Sequence, residues 1–354
     1  MKYIRDTVLG NSAKTLLCLL AILPFVSSTS GAISDGLIAY YPFNGNASDE
    51  STNANHGTVQ GAVLSTNRLG EVGKAYDFNG SSAYISAPHQ SYLNFPGGDF
   101  TISVWAALDN PSQPAIFVGK DNGGGAQAKW FFVYGDIPGA SGKHVVAHVN
   151  DSPSPPSELH WVPPARWDAP AGQWHHYLVT KKGTNYAVWI DGQFQAAAVG
   201  VDPIPGGITA PLTIGQAEGA AFVDGRLDDV RIYDRALATN EIALLAGVAV
   251  QPAITQQPPQ NQTVAAGTNV AFSVTATGTA PLSYQWRKDG VRIPGATNAT
   301  LSLTNVQPTL IGNYTVVITN SIGSVTSSVA ALSIPGVTPG LWQGLVAYYP
   351  FNGN

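Results

Sequence analysis

Between Leu37 and Tyr233 the chain carries about twelve short apolar runs, each bounded by Gly, Pro, Asn, Asp or Ser, with no long helical period between them. Runs of this length expose alternate side chains on opposite faces, so each has an apolar face that is covered only when sheet packs on sheet. The expected strands are Leu37–Phe43, Thr58–Leu64, Ala75–Phe78, Ala83–Ala87, Phe100–Leu108, Ala115–Gly119, Trp130–Tyr134, His144–Val149, Trp174–Lys181, Tyr186–Ile190, Leu212–Gly215 and Leu227–Tyr233. Asn79-Gly80 and Asp191-Gly192 are tight-turn signals. Phe100, Ile102 and Val104 share one strand face and Trp105 points to the other. One short helix is expected over Thr239–Ala246, with Ile242 and Leu245 on its buried side. The fold class is therefore all-β, a two-layered antiparallel sandwich or jelly roll.

Gly36-Leu-Ile-Ala-Tyr-Tyr-Pro-Phe-Asn-Gly-Asn46 returns at Gly344–Asn354 with one change, Ile38 to Val346. A near-copy at that spacing marks a module that starts twice, so residues 344–354 are expected to be the first strand of a second copy. Residues 1–32 form the opposite kind of segment. Lys2, Arg5 and Lys14 precede the apolar run Leu16–Val26, and small residues lead to Ala32, as in a cleaved secretory signal. The run is too short for a typical membrane span, so no span is expected in the mature chain. Cys18, the only cysteine, falls inside that segment, which leaves the mature chain without disulfide, thiolate metal site or cysteine nucleophile. A net charge of −5 spread over 354 residues gives no basic footprint for nucleic acid.

After a linker at 248–258, a second unit runs over 259–334. Val270–Val274 alternates, Tyr284-Gln285-Trp286 precedes the turn Lys288-Asp289-Gly290, and Ala299–Leu303 and Gly312–Thr319 are strand-like. A second linker, 335–343, leads to the repeated segment. In the first unit, Leu37–Asn46, Asp77-Phe78-Asn79-Gly80, Phe100–Trp105, Trp174-His175-His176, Asp191-Gly192 and Leu227–Leu237 together resemble the laminin-G-like branch of the concanavalin A-like jelly rolls, over residues 33–247. The strand after the first hairpin departs from that pattern, with Ala83-Tyr84 where the family often has an Asp. The second unit resembles an immunoglobulin-like sandwich of the I-set kind. Val274 and Val316 stand in the places of the usual cysteine pair, Trp286 is its core tryptophan and Tyr314 fits its tyrosine corner.

Two groups of residues are candidate sites. Asp228 precedes Val230 and Ile232 at period two, which directs it inward with them, and an inward carboxylate needs a pair, a hydrogen bond or an ion. Asp49 opens a loop with oxygen-bearing side chains at alternate positions, a spacing that calcium loops and ion-free Asx-turns share. The jelly-roll resemblance implies a structural Ca²⁺ held by Asp228 with Asp49 or Asp77. The alternative leaves Asp228 satisfied by Arg226, by Arg231 or by backbone donors. The second group lies on the Pro-rich stretch 150–172, expected to be a loop because prolines interrupt it. There Trp161 and Trp167 offer indole faces for a sugar, and His160 and Arg166 offer directed hydrogen bonds. Against this stands packing of the tryptophans as a lid on the sandwich.

Catalysis is not expected. Glu50, Glu71, Glu158, Glu218 and Glu241 are isolated, with no alternating pair of acids on one strand. These features together predict a secreted, non-enzymatic adhesion or binding protein whose partner is a carbohydrate or an extracellular or surface protein. The rivals are a targeting module of a larger polysaccharide-degrading enzyme and a purely structural surface repeat.

Overall fold

The computed structural model describes residues 33–121, 123, 128–150, 159–200, 207–259 and 261–337. The segment read as a signal, 1–32, and the repeated strand at 344–354 both lie outside the described residues. In chain order the first unit has β1 (Leu37–Tyr41), β2 (Thr58–Gln60), β3 (Val63–Ser65), β4 (Ala75–Asn79) and β5 (Tyr84–Ala87). Then come β6 (Phe100–Leu108), β7 (Ala115–Asp121), β8 (Lys129–Gly135), β9 (His144–Asn150) and β10 (Leu159–Arg166). The set closes with β11 (Trp174–Lys182), β12 (Asn185–Ile190), β13 (Gln193–Val199), β14 (Leu212–Ile214), β15 (Asp224–Tyr233) and helix α1 (Thr239–Leu245).

These strands form two sheets. One runs β13-β12-β11-β6-β15-β4-β3, with β1 also paired to β15, and the other runs β10-β9-β8-β7-β14-β5-β2. The core lies between them. Phe117 of β7 meets Tyr177 of β11 with ring centroids 5.0 Å apart, and Phe95 stacks on Phe100 at 4.6 Å and tilts against Trp130 at 5.2 Å. Phe100, Ile102 and Val104 belong to this core, as their alternation required.

Three strand assignments change. The run expected as one strand over Thr58–Leu64 is split, because Gly61, with φ 71, lets the chain cross from β2 in one sheet to β3 in the other. Residues 159–166, expected to be loop, form β10, with Pro163 and Pro164 tolerated because β10 is a sheet edge and its pairing with β9 is irregular between Val162 and Ala165. Gln193–Val199, not anticipated, is the opposite sheet's edge strand β13.

Both outer faces of the sandwich are partly covered. Ile242 and Leu245 of α1 pack on Leu178, Trp189 and Tyr233 of the eight-stranded sheet. The helix start is fixed by Glu241, which accepts the Ala238 N–H at 2.7 Å and a two-pronged contact from Arg235 at 3.0 and 2.8 Å. Lys120, fully buried, donates to Gln90 O, Asn94 Oδ1 and the His89 ring at 3.0, 2.7 and 3.0 Å; burial pushes its pKa down to about 8.

Gly225 shows how closely β15 approaches β6. Its φ is 139°, and a Cβ there would lie 2.1 Å from the Ala107 carbonyl oxygen. Gly225→Ala is expected to cost about 3 kcal/mol or more; denaturation at the parent's midpoint would show that the strands separate without penalty.

In the second unit, Trp286 is fully buried, its indole N–H donating to Asn298 O at 2.9 Å. Val274, Val316 and Phe272 share its core cluster, and Tyr314 donates to Leu310 O at 2.5 Å, closing the tyrosine corner. Part of the expected linker is structured: Ala253–Gln256 is a strand paired with Thr275–Thr277.

Candidate functional site

Asp228 does not face inward with Val230 and Ile232. A register shift between Asp228 and Arg231, with Asp229 at φ 50, inverts the alternation, so Asp228 stands opposite Trp105 on the outer face of the eight-stranded sheet. It is nevertheless buried. Arg68, from the β3–β4 loop, lies 4.5 Å over the Trp105 ring and spreads its guanidinium across two carboxylates, Nη1 to Asp228 and Nη2 to Asp229, each at 2.9 Å. Arg231, one of the expected partners of Asp228, pairs instead with Asp229 at 3.2 Å and donates to the Tyr40 hydroxyl. Burial first, then the neighbouring Asp229 charge, raise Asp228 to about 7.

Asp49 is committed to backbone N–H groups. Asp49 Oδ1 accepts the Tyr40 and Ser51 N–H groups at 2.9 and 2.8 Å, and Oδ2 accepts that of Asn55 at 2.9 Å. It is the Asx-type turn organiser. Asp77 faces Arg226 across the β4–β15 ladder, and burial, then the nearby Asp109 charge, raise its pKa. Among the described residues no group of three or more His, Cys, Asp or Glu is placed to hold a metal. As arranged, this donor set does not fit a calcium ion, since the Arg68 guanidinium already fills the position between Asp228 and its neighbour Asp229.

The tryptophans of the second group part company. Trp167, after β10, packs on the main core and meets His175 edge-on at 5.3 Å. Arg166 is solvent-exposed, 3.6 Å from an equally exposed Asp168. His160 pairs through its backbone with Val149, and its side chain lies outside the described part.

Trp161 belongs to a separate cluster on the outer face of the seven-stranded sheet, with Ile116, Phe131, Val133, Val146 and Ala217. Register explains the gathering. Gly119, Phe131, His148 and Trp161 are successive partners across β7, β8, β9 and β10, so they form one row on one face. Gly119 keeps the row flat, because a Cβ there would sit 2.6 Å from that of Phe131. His148 stacks on Phe131 with centroids 4.5 Å apart and meets Trp161 at 4.3 Å. The half-buried Trp161 has no partner for its indole N–H among the described residues.

One step along the sheet from this row stands an ion cluster. Lys129 is directly opposite Asp121 in register, 3.2 Å from its Oδ2, and also donates to Glu218 of the β14–β15 connection. Burial raises the Asp121 pKa, and the Gly123 N–H on Oδ1 works against that rise. Sequence reasoning passed over Phe131 and Lys129 and set Glu218 aside as an isolated acid. The available signal was the run Lys129-Trp-Phe-Phe-Val-Tyr134, apolar at both parities, which marks a strand covered on both faces.

Residues 79–243 match the family model described as the concanavalin A-like lectin/glucanases superfamily, and residues 251–320 match the immunoglobulin domain model. A decoration protein of Escherichia phage T5 is 37% identical over 82 residues, 23% of this chain. The chain spans about half the length of that curated relative. Domain 4 of AbnA, an extracellular arabinanase of Geobacillus stearothermophilus solved with arabinotriose, is similar at 21% identity and a TM-score of 0.46, covering 59% of this chain and 98% of that one. The binding domain of Paraclostridial Mosquitocidal Protein 1 is similar at 16% identity and a TM-score of 0.46, covering 81% of this chain and 77% of that one.

Proposed function

We propose, on the premise that residues 79–243 form a concanavalin A-like domain and residues 251–320 an immunoglobulin domain, that this chain is a secreted, non-catalytic binding protein whose first unit holds a carbohydrate. The binding face is the outer side of the seven-stranded sheet at the β8–β10 edge. The observation that carries this reading is the half-buried Trp161 ring, held at the sheet edge by the buried Phe131 and His148 beside it. With those two buried, the surface this row offers is the Trp161 ring, which can stack on the C–H side of a sugar ring. Asp121 and Glu218 are both tied to Lys129, which supports binding over hydrolysis, since acid–base work needs carboxyl groups free to exchange protons. The signal-like start of the chain supports export. The immunoglobulin unit acts as spacer.

A glycan array followed by calorimetry on the best oligosaccharide tests the reading. Trp161→Ala is expected to weaken binding by about 1–3 kcal/mol, while Trp167→Ala lowers the melting temperature and leaves Kd unchanged. Equal loss from both, or no loss from Trp161→Ala, would remove this face from consideration.

A further inference from the structure

We infer that copies of this chain associate head to tail, the Arg287–Arg292 face of one second unit seated on the Asp77–Asp109–Asp224 cluster of another copy's first unit. The inference goes beyond the binding reading above and gives the immunoglobulin unit a surface of its own.

Charge is divided unequally along the chain. Residues 33–258 hold 11 Lys and Arg against 20 Asp and Glu, a net −9, whereas residues 259–334 hold three against one, a net +2. All four charges of the second unit lie between Arg287 and Arg292. Its single acid, Asp289, is taken up by Lys288 at 3.5 Å and by the Asn313 N–H at 2.9 Å. Arg287 and Arg292 stand directly opposite each other across an antiparallel pair, with Thr315 next to Arg287 in the same row. They face away from the core, since Trp286, between Gln285 and Arg287, points into it. Among the described residues neither arginine meets a carboxylate, and like charges set opposite each other repel. Arg292 is held in place all the same. Gln285 Oε1 accepts its Nε–H and Nη2–H at 3.2 and 2.8 Å, and the Gln285 amide nitrogen donates to the Trp286 and Ile293 carbonyls at 2.8 and 2.9 Å. The result is a pair of guanidinium groups in surplus over the carboxylates around them.

The first unit has the reverse surplus at one end. Asp77 stands opposite Arg226 across β4 and β15, Asp109 lies 3.4 Å from the same guanidinium, and the Asp109 N–H donates to the Asp224 carbonyl at 2.8 Å. Burial and then the Asp109 charge raise the Asp77 pKa; Arg226 opposes them and Asp224 adds to the rise. Three carboxylates thus share one arginine. Elsewhere in this unit Arg68 and Arg231 serve Asp228 and Asp229, and Arg235 serves Glu241. Asp109 is 47% exposed at its side chain, so the negative surplus reaches solvent.

The two patches are complementary in sign and in size, and contact between them relieves the repulsion within each. Within one chain the two arginines meet no carboxylate among the described residues, so the acidic cluster they meet belongs to another copy. Because the patches differ, the contact is heterologous and adds copies in an open series. Exposed ion pairs are individually weak and screened by salt, so the association belongs to low ionic strength.

Sedimentation equilibrium of the full chain over a range of concentrations tests this. The weight-average mass is expected to rise with concentration at about 0.01 M salt and to return to that of the monomer at about 1 M, where the screening length has fallen from about 30 Å to about 3 Å. Arg287→Glu with Arg292→Glu is expected to leave a monomer at both salt concentrations, and so is Asp109→Lys with Asp224→Lys. Mixed in equal amounts, the two charge-reversed proteins are expected to regain association, which a defect in folding would not produce. A monomeric parent at low salt, a mass unaffected by salt or by Arg287→Glu with Arg292→Glu, or a mixture that stays monomeric each overturns the inference. A monomeric parent that binds polyglutamate through the two arginines puts a different acidic partner on this face and overturns the second copy as its occupant.

Discussion

Arg68→Ala is expected to destabilise the first unit by about 3–5 kcal/mol, the usual cost of removing one partner from a buried ion pair. The single guanidinium holds Asp228 and Asp229 at 2.9 Å each and covers the Trp105 ring, so its loss leaves two adjacent carboxylates facing each other on a dry surface. The pH dependence carries the sign. Asp228 sits at about 7 in the fold against the 3.8 of an ordinary aspartate, so between those values the folded chain holds a proton that the unfolded chain releases. Stability from this group is therefore present at low pH and falls as pH rises toward 7. Without Arg68 the acid is pushed further up, so the deficit of Arg68→Ala should be greatest near pH 8 and shrink toward pH 4. Asp228→Asn in the same background should recover much of the loss at pH 8 and little at pH 4. Thermal unfolding of the three proteins at both pH values checks this. A deficit independent of pH would show that the lost stacking on Trp105, rather than the carboxylates, carries the effect.

Trp286→Ala is expected to cost the immunoglobulin unit about 3–5 kcal/mol, more than a unit of this size without a disulfide tolerates near body temperature. Its indole is fully buried among residues that include Val274, Phe272 and Val316, and its N–H holds the Asn298 carbonyl. The two units have separate cores, one spanning Ile38 to Ile232 and the other Val270 to Ile334. Calorimetry should accordingly show the second unit's transition moved down or lost, with the first unit's transition in place. Both transitions moving together would mean that the units unfold as one.

Much of this fold was readable from period and turn chemistry. Phe100-Ile102-Val104 faced the core, Ile242 and Leu245 formed the buried side of α1, and Trp286 with Tyr314 marked the immunoglobulin core. The errors have local causes. Alternation was carried through Asp229, where an irregular register puts two residues against one partner and reverses the face of Asp228. Prolines at 163 and 164 were read as ending pairing, although an edge strand leaves one row of N–H groups unpaired anyway.

The sites were less legible than the fold. Trp161 and Trp167 are six positions apart in sequence, yet one joins the outer row and the other the main core. Arg68 comes from an ordinary polar loop some 160 residues before Asp228. By itself, then, the sequence determined most of the strands and which aromatic residues fill the two cores, because burial and turn formation are decided within a few residues. The tertiary structure alone decided which charge meets which and which rings share a face. Those outcomes depend on strand order, register and a single bulge, and none of these leaves a mark in the spacing of neighbouring residues.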